Sequence, residues 1–248
     1  DIDLIIEGSA EIFANKLKSK IGSKRISKIC FYNEYDTVSM TIDNINIDLA
    51  STRIEEYLAP GENPVISKSS LKLDLSRRDF SVNAIAFELL TKTYIDPYKG
   101  RKDIIKKELV LLHPHSIKDD PTRIIRAARY SARLGFKVSS NSLEQIQSTL
   151  KEWPWAWQLS MEPNLAPPAL AIRLYFEFKL LFQEDNWQAG FHNLQKWGAL
   201  ILLDRELQSD KKLLIKLKRA SRLKINLLTA LIVNGRNSLK LAKRLNIP

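Results

Sequence analysis

The stretch Leu71–Phe87, "LKLDLSRRDFSVNAIAF", sets Arg77 and Arg78 against Asp79 and then changes period. Its first half has helical spacing, and its end, "AIAF", is an apolar run of strand type. A guanidinium pair, a carboxylate and the Asn83 amide this close together suit two arrangements. One is a structural salt-bridge cluster in which Arg77 pairs with Asp79; the other is the wall of a binding pocket.

The segments on either side bear on that choice. Upstream, "DIDLII" alternates acidic and apolar residues, "SAEIFANKLKSK" has helical spacing, and "DTVSMTI" and "INIDLAS" alternate again. These segments describe a small mixed sheet with a helix on it. Ser51–Ser70, with two prolines and a glycine and no sustained period, reads as a long loop of the kind that is functional or mobile. Downstream, "LLTKTYIDPYKG" reads as a strand ended by a turn, and from Asp120 nearly everything has helical spacing. The Trp and Pro cluster "EWPWAWQ", Glu152–Gln158, marks a boundary within that helical part. The fold class expected is α+β: a small mixed-sheet head over 1–116, a helical neck over 117–158 and a helical body over 159–248.

The chain has 248 residues, 44% hydrophobic and 27% charged, which is enough to bury a core in one large or two small domains. Lysine and arginine outnumber acids 39 to 28, for a formal charge of +11. That excess points to a polyanionic partner, with ordinary solubility charge as the alternative. Cys30 is the only cysteine, which excludes a disulfide scaffold and a cysteine zinc cluster and fits a reducing compartment. His113, His115 and His192 form no ligand set. No apolar run reaches the roughly 18–20 residues that span a bilayer, and no signal peptide is recognisable, so a cytoplasmic protein is expected. The chain opens at Asp1 on a strand-like segment, and residues upstream of it are expected to be missing.

Three groups of residues carry chemistry. Asp1 and Asp3 stand two apart on a strand and so point the same way, as hard oxygen ligands for a divalent cation or simply toward solvent. Asp48 could join them if its strand lies near theirs, and three carboxylates on adjacent strands suit the two metals of a phosphoryl displacement. In "DDPTRIIRAARYSARLGF", Asp120 suits an N-cap and Pro121 the first helical position. At about 100° per residue, Arg123, Arg126, Arg129 and Arg133 share one face of that helix, opposite Ile124, Ala128, Ser131 and Ala132. Such a face would line a cleft with guanidiniums suited to phosphates, or be a solvated basic face. Asp120 and Arg123 could read one flat heterocycle, or Asp120 could only cap its helix. Lys211–Lys224 is an amphipathic basic stretch, either a surface helix with a cationic outer face or a contact for RNA or a membrane surface. The five tryptophans, at 153, 155, 157, 187 and 197, read as packing residues rather than base-stacking ones.

Taken together, "DIDL", "IDLASTR", "DLSRRDFSVNAIAF", "YIDPYKGRKDI" and "DDPTRIIRAARYSARLGF" resemble the bacterial tRNA nucleotidyltransferase and poly(A) polymerase family, class II of the DNA polymerase β superfamily. They follow one another from Asp1 to Phe136; no diagnostic motif is recognisable in the helical remainder. The resemblance implies that Asp1 and Asp3 hold catalytic Mg2+, with Asp48 as the third catalytic carboxylate. It implies activation of the 3′-hydroxyl of a tRNA for attack on the α-phosphate of CTP or ATP, with pyrophosphate leaving. Arg78, Asp79 and Asn83 would handle the nucleotide's sugar and triphosphate. Asp120 and Arg123 would read the base, with Arg126 and Arg129 extending the nucleotide-binding face. Neither DNA nor a membrane is implied as a partner. The family's base-reading motif usually begins Glu-Asp, whereas this chain has Asp119-Asp120, and the family's glycine-rich strand and turn with an arginine would lie before Asp1. The expected activity is CCA, CC or A addition. A poly(A) polymerase of the same family and a non-catalytic RNA-binding relative are the alternatives, and a membrane-surface protein is the weakest.

Overall fold

The computed structural model describes residues 2–151, 168–245 and 247. The chain divides into two compact units, Asp1–Glu56 with Pro64–Arg78, and Tyr57–Asn63 with Asp79–Pro248. The boundary cluster Glu152–Gln158, with Trp153, Trp155 and Trp157, lies outside the described residues, as does Asp1.

In the first unit, strands β1 (Ile2–Ile6), β2 (Ile26–Tyr32), β3 (Thr37–Ile42) and β4 (Ile45–Ser51) form a sheet of order β1-β4-β3-β2. β1 runs parallel to β4 and the other pairs are antiparallel, so the sheet is mixed, as the alternating segments predict. Val38, Met40 and Leu49 point to one face and pack with Ala10 and Ala14 of helix α1 (Ala10–Ile21), with Leu4 and Ile47 against them. The side chains between these point to the opposite face. Asp43 and Asn44, both at positive φ (48° and 65°), form the two-residue turn from β3 to β4, a backbone that matches strand twist. At the start of α1, Ser51 Oγ accepts from Ala10 N at 2.8 Å and Asp36 Oδ1 from Glu11 N at 3.3 Å, satisfying N–H groups that have no partner within the helix.

Two features of this unit correct the sequence reading. Ser51–Ser70 is not a structureless loop: β5 (Arg53–Glu56) and β6 (Val65–Lys68) pair antiparallel from Arg53↔Lys68 to Glu56↔Val65. The prolines that suggested a loop, Pro60 and Pro64, lie in the connection, where no ladder N–H is needed. The edge strand β2, "ISKICFY", is a further strand that the alternation of its neighbours hides. α2 (Leu71–Ser76) completes the unit.

In the second unit, "AIAF" leads into strand β7 (Ala86–Glu88), which among the described residues pairs with β8 (Thr93–Ile95) alone, in a separate two-stranded sheet. α3 (Gly100–Lys106) packs on the Ser81–Asn83 turn, where Ser81 Oγ donates to Asp103 Oδ2 at 2.6 Å. A two-strand pair, β9 (Glu108–Leu109) with β10 (Lys137–Val138), flanks α4 (Ser116–Asp119) and α5 (Thr122–Leu134). Helices follow: α6 (Ser140–Lys151), α7 (Pro168–Gln183), α8 (Trp187–Trp197), α9 (Arg205–Ser209), α10 (Leu213–Arg222), α11 (Leu227–Val233) and α12 (Ser238–Arg244). One apolar core runs from Phe80 through Ile124, Phe178 and Phe191 to Leu245. Trp187 and Trp197 lie in it, as packing residues. α10 buries Leu213 and Leu217 and exposes Lys216 and Lys218, the surface-helix arrangement. Among the described residues no helix is long and apolar enough to cross a membrane.

Gly100 has no room for a side chain, because a Cβ there would lie 2.0 Å from the Ser81 carbonyl oxygen and 2.9 Å from Ile85 Cγ1. Gly100→Ala is expected to cost about 1–3 kcal/mol, the usual range for overpacking, read as a lower midpoint of urea unfolding.

Candidate functional site

In the first unit, β-strand register does the positioning. Leu4 and Leu49 are partners across β1 and β4 and face α1; one residue back, Asp3 and Asp48 are also partners and therefore share the opposite face. Both are exposed. Two carboxylates directly opposite one another repel, and a bound cation relieves that repulsion. Their hard oxygens suit a divalent cation, Asp1 of the expected ligand pair lies outside the described residues, and among the described residues no group of three or more such side chains is gathered to hold a metal. Ser39, opposite Asp48 on β3, is a neighbour that sequence reasoning did not single out.

The Arg-Arg-Asp run is split between the units. Arg77 has carboxylate partners within the first unit. Its Nη2 donates to Asp74 Oδ1 at 2.8 Å and its Nη1 to Glu55 Oε1 at 2.7 Å, while Arg78 Nη2 donates to Asp74 Oδ2 at 3.2 Å. Asp74 is buried, and this carboxylate anchors the end of α2. Arg77 is thereby a structural arginine.

In the second unit Asp79 is buried and fully engaged. Its Oδ1 accepts from Phe80 N and from Asn83 Nδ2, both at 2.8 Å, and its Oδ2 accepts from Arg126 Nε at 2.8 Å. Because a carboxylate only accepts, the Asn83 amide must turn its NH2 toward Asp79 and its carbonyl oxygen away.

The arginine face of α5 differs from the expectation of an open cleft. Arg123 and Arg129 are buried, Arg126 is half-buried and Arg133 is exposed. Helix wheels give the direction of a side chain, and here α7 stands in that direction with acids. Glu177 Oε1 accepts from Arg126 Nη1 at 3.0 Å, Glu177 Oε2 from Arg129 Nη2 at 3.4 Å, and Glu184 Oε1 from Arg129 Nη1 at 3.4 Å. The Tyr130 ring lies 4.8 Å from the Arg129 guanidinium, and its hydroxyl accepts from Arg126 at 3.1 Å. Burial works against the Arg126 charge, but Asp79, Tyr130 and Glu177 outweigh it and hold the group protonated. The site thus brings Asp79, Asn83, Arg126 and Arg129 into one network. Glu177 and Glu184, which complete it, went unread; the sequence signal was Glu177 as a lone acid inside the apolar run "ALAIRLYFEFKLLF".

α5 starts one residue later than expected, with Pro121 at the N-cap position and Thr122 first in the helix, and Asp120, just before it, accepts at Oδ1 from Thr122 N at 3.1 Å and from Thr122 Oγ1 at 2.7 Å. The same oxygen lies 3.7 Å from Arg173 Nε. Arg123 Nη1 donates to Ser116 Oγ at 2.7 Å and lies 3.4 Å from His113 Nε2. Asp120 and Arg123 are therefore adjacent at one helix end, each with partners in place. Burial first, and then the charges of Arg123 and His115, push the His113 pKa down to about 4. The imidazole is neutral at pH 7, accepts from Arg123 at Nε2 and carries its proton on Nδ1, 3.9 Å from Asp119 Oδ2. That contact is then not an ion pair. Burial in turn pushes the Asp119 carboxyl up.

Residues 1–110 match the family model of the poly(A) polymerase head domain. The chain is 37% identical over 154 residues to an A-adding tRNA nucleotidyltransferase of Geobacter sulfurreducens, covering 61% of this chain and 17% of that protein. It is 30% identical over 212 residues to a CC-adding tRNA nucleotidyltransferase of Deinococcus radiodurans, covering 82% and 50%. The chain thus spans half or less of these relatives. A solved structure of a tRNA nucleotidyltransferase complexed with a primer tRNA and an incoming ATP analogue superposes with a TM-score of 0.74 at 25% identity, covering 100% of this chain and 72% of that one.

The lowered His113 pKa has a sign that can be measured. Between the ordinary value of 6.5 and about 4, the unfolded chain binds a proton that the folded chain refuses, so stability falls as pH drops through that window. His113→Gln is expected to flatten this part of the stability profile, and the imidazole resonance of the wild-type chain to titrate near pH 4.

Proposed function

We propose that this chain, which belongs to the tRNA nucleotidyltransferase and poly(A) polymerase family, adds CMP or AMP from CTP or ATP to the 3′ end of tRNA without a template. The observation that carries the reading is the in-register pair Asp3 and Asp48 on the sheet face away from α1, inside the stretch that matches the head-domain model. In such a transfer a bond forms between the terminal 3′-oxygen and the α-phosphorus, and the bond to pyrophosphate breaks.

Asp1, Asp3 and Asp48 are the catalytic carboxylates of this reading, with Asp1 and Asp3 as the metal ligands. A divalent cation held there, Mg2+ in the finer reading, supplies the positive charge that nucleotide phosphates require. Arg78, Asp79 and Asn83 bind the sugar and triphosphate. Asp120 and Arg123 read the base edge, and Arg126 and Arg129 complete the nucleotide-binding set. In the same reading residues 1–116 are the head, 117–158 the neck and 159–248 an RNA-binding body working in the cytoplasm.

With tRNAs ending before, within and after CCA, and with CTP, ATP and magnesium, the protein is expected to add a few nucleotides and stop. Long adenylate tails would identify a poly(A) polymerase instead. RNA binding without incorporation would leave a non-catalytic RNA-binding protein. Asp48→Asn is expected to lower incorporation by roughly 10²–10³-fold, the scale on which a single electrostatic stabiliser counts. Its thermal midpoint should hold or rise, because a like-charge pair is relieved. Chelation of divalent metal is expected to abolish incorporation.

A further inference from the structure

Arg126 and Arg129 sit one turn apart on α5, largely out of water, and three carboxylates face them: Asp79, Glu177 and Glu184. Glu177 alone among these touches both guanidiniums, one oxygen on each. Arg126 is held at both ends. Its Nε and Nη2 rest on Asp79 Oδ2, at 2.8 and 2.7 Å, Nη2 also donates to the Tyr130 hydroxyl, and Nη1 donates to Glu177 at 3.0 Å. Asp79 then fixes Asn83 through its other oxygen. A continuous chain of charge-assisted hydrogen bonds thus runs Glu177, Arg126, Asp79, Asn83.

We propose that Glu177 is a positioning residue of the nucleotide pocket, acting through Arg126 and Asp79 to fix the rotamer of the first and the amide orientation set by the second. The inference rests on the nucleotide-binding role given above to Asp79, Asn83 and Arg126, and adds a residue of α7 that neither the motifs nor the family match at residues 1–110 reaches. With Glu177 in place, the second Nη1–H of Arg126 is presented in one direction. Without it Nη1 loses its partner, and the guanidinium is held only along its Nε–Nη2 edge, by Asp79 and the Tyr130 hydroxyl, and can tilt about that edge.

A plain charge screen and a plain structural strut make different demands. If Glu177 only screened the arginines, removing its charge would make the site more cationic and tighten nucleotide binding. If it were only a strut, its loss would lower the melting temperature without changing binding by the folded protein. A positioning residue weakens binding by the folded protein.

The test is equilibrium dialysis of ATP and CTP on the full chain, for wild type, Glu177→Gln and Glu177→Asp, well below each melting midpoint and with the fold checked by circular dichroism. Glu177→Gln is expected to weaken nucleotide binding about tenfold, the scale of one hydrogen bond to a charged group. Glu177→Asp, which keeps the charge at shorter reach, should recover part of the loss. In the same samples the Arg126 Nε–Hε resonance should exchange with water faster in Glu177→Gln than in wild type. Unchanged or tighter binding in Glu177→Gln, or an unchanged Arg126 exchange rate, would overturn the inference. Failure of the wild type itself to bind either nucleotide would overturn the functional reading first, and this one with it.

Discussion

The packing of the second unit depends on neutralising guanidiniums inside it. Moving an unpaired ion out of water costs several kcal/mol even after relaxation, and removing one partner of a buried pair costs about 3–5 kcal/mol. Arg126 and Arg129 are therefore tolerable only while α7 presents Glu177 and Glu184 to them and the chain after Arg78 presents Asp79. This requirement fixes the rotation and the axial register of α7 against α5 more tightly than the leucines and phenylalanines around them could. Apolar side chains accept a small slide; a carboxylate that must meet two guanidiniums does not. At the other end of the helix Arg123 hydrogen-bonds Ser116 and an uncharged His113, with the Asp119 charge acting on it as well.

In the first unit the corresponding constraint is backbone register. Asp3 and Asp48 meet because β1 and β4 run parallel with those residues as partners, and they face outward because Leu4 and Leu49 face inward. The site is in this sense a by-product of core formation: the core-facing leucines determine which face the aspartates occupy. Helix α1 adds its own requirement, since its first N–H groups are met by Ser51 and Asp36 from two other segments.

Much of this was legible in the residues. Alternation in "DTVSMTI" and "INIDLAS" identified strands and assigned their faces, because period two is dictated by the pleat and does not depend on neighbours. Helical spacing and the Asp120-Pro121 start placed α5 within a residue or two. What was not legible was whatever depends on a partner distant in sequence. The β5–β6 hairpin was obscured by Pro60 and Pro64, which mark a turn as readily as a loop until the pairing across them is known. Arg77 meets Asp74 and Glu55, the second of them distant in sequence, which its neighbours in the motif do not announce. The arginine face was drawn correctly on the wheel and given the wrong surroundings, since a wheel cannot show that acids from α7 stand opposite.

The turn at Asp43-Asn44 works as a ruler. Both residues are at positive φ, which gives the shortest connection between β3 and β4 and leaves no slack along their length. A slip of β4 by a single place would carry Leu49 to the outer face and Asp48 under α1, and β1 would have to follow or lose its pairing. A charge would be buried and a leucine exposed by a change that touches neither. Length variation in this unit is thus confined by geometry to places that do not set register. The Asp43-Asn44 turn lies on the surface, yet the register it holds decides which side chains the core receives.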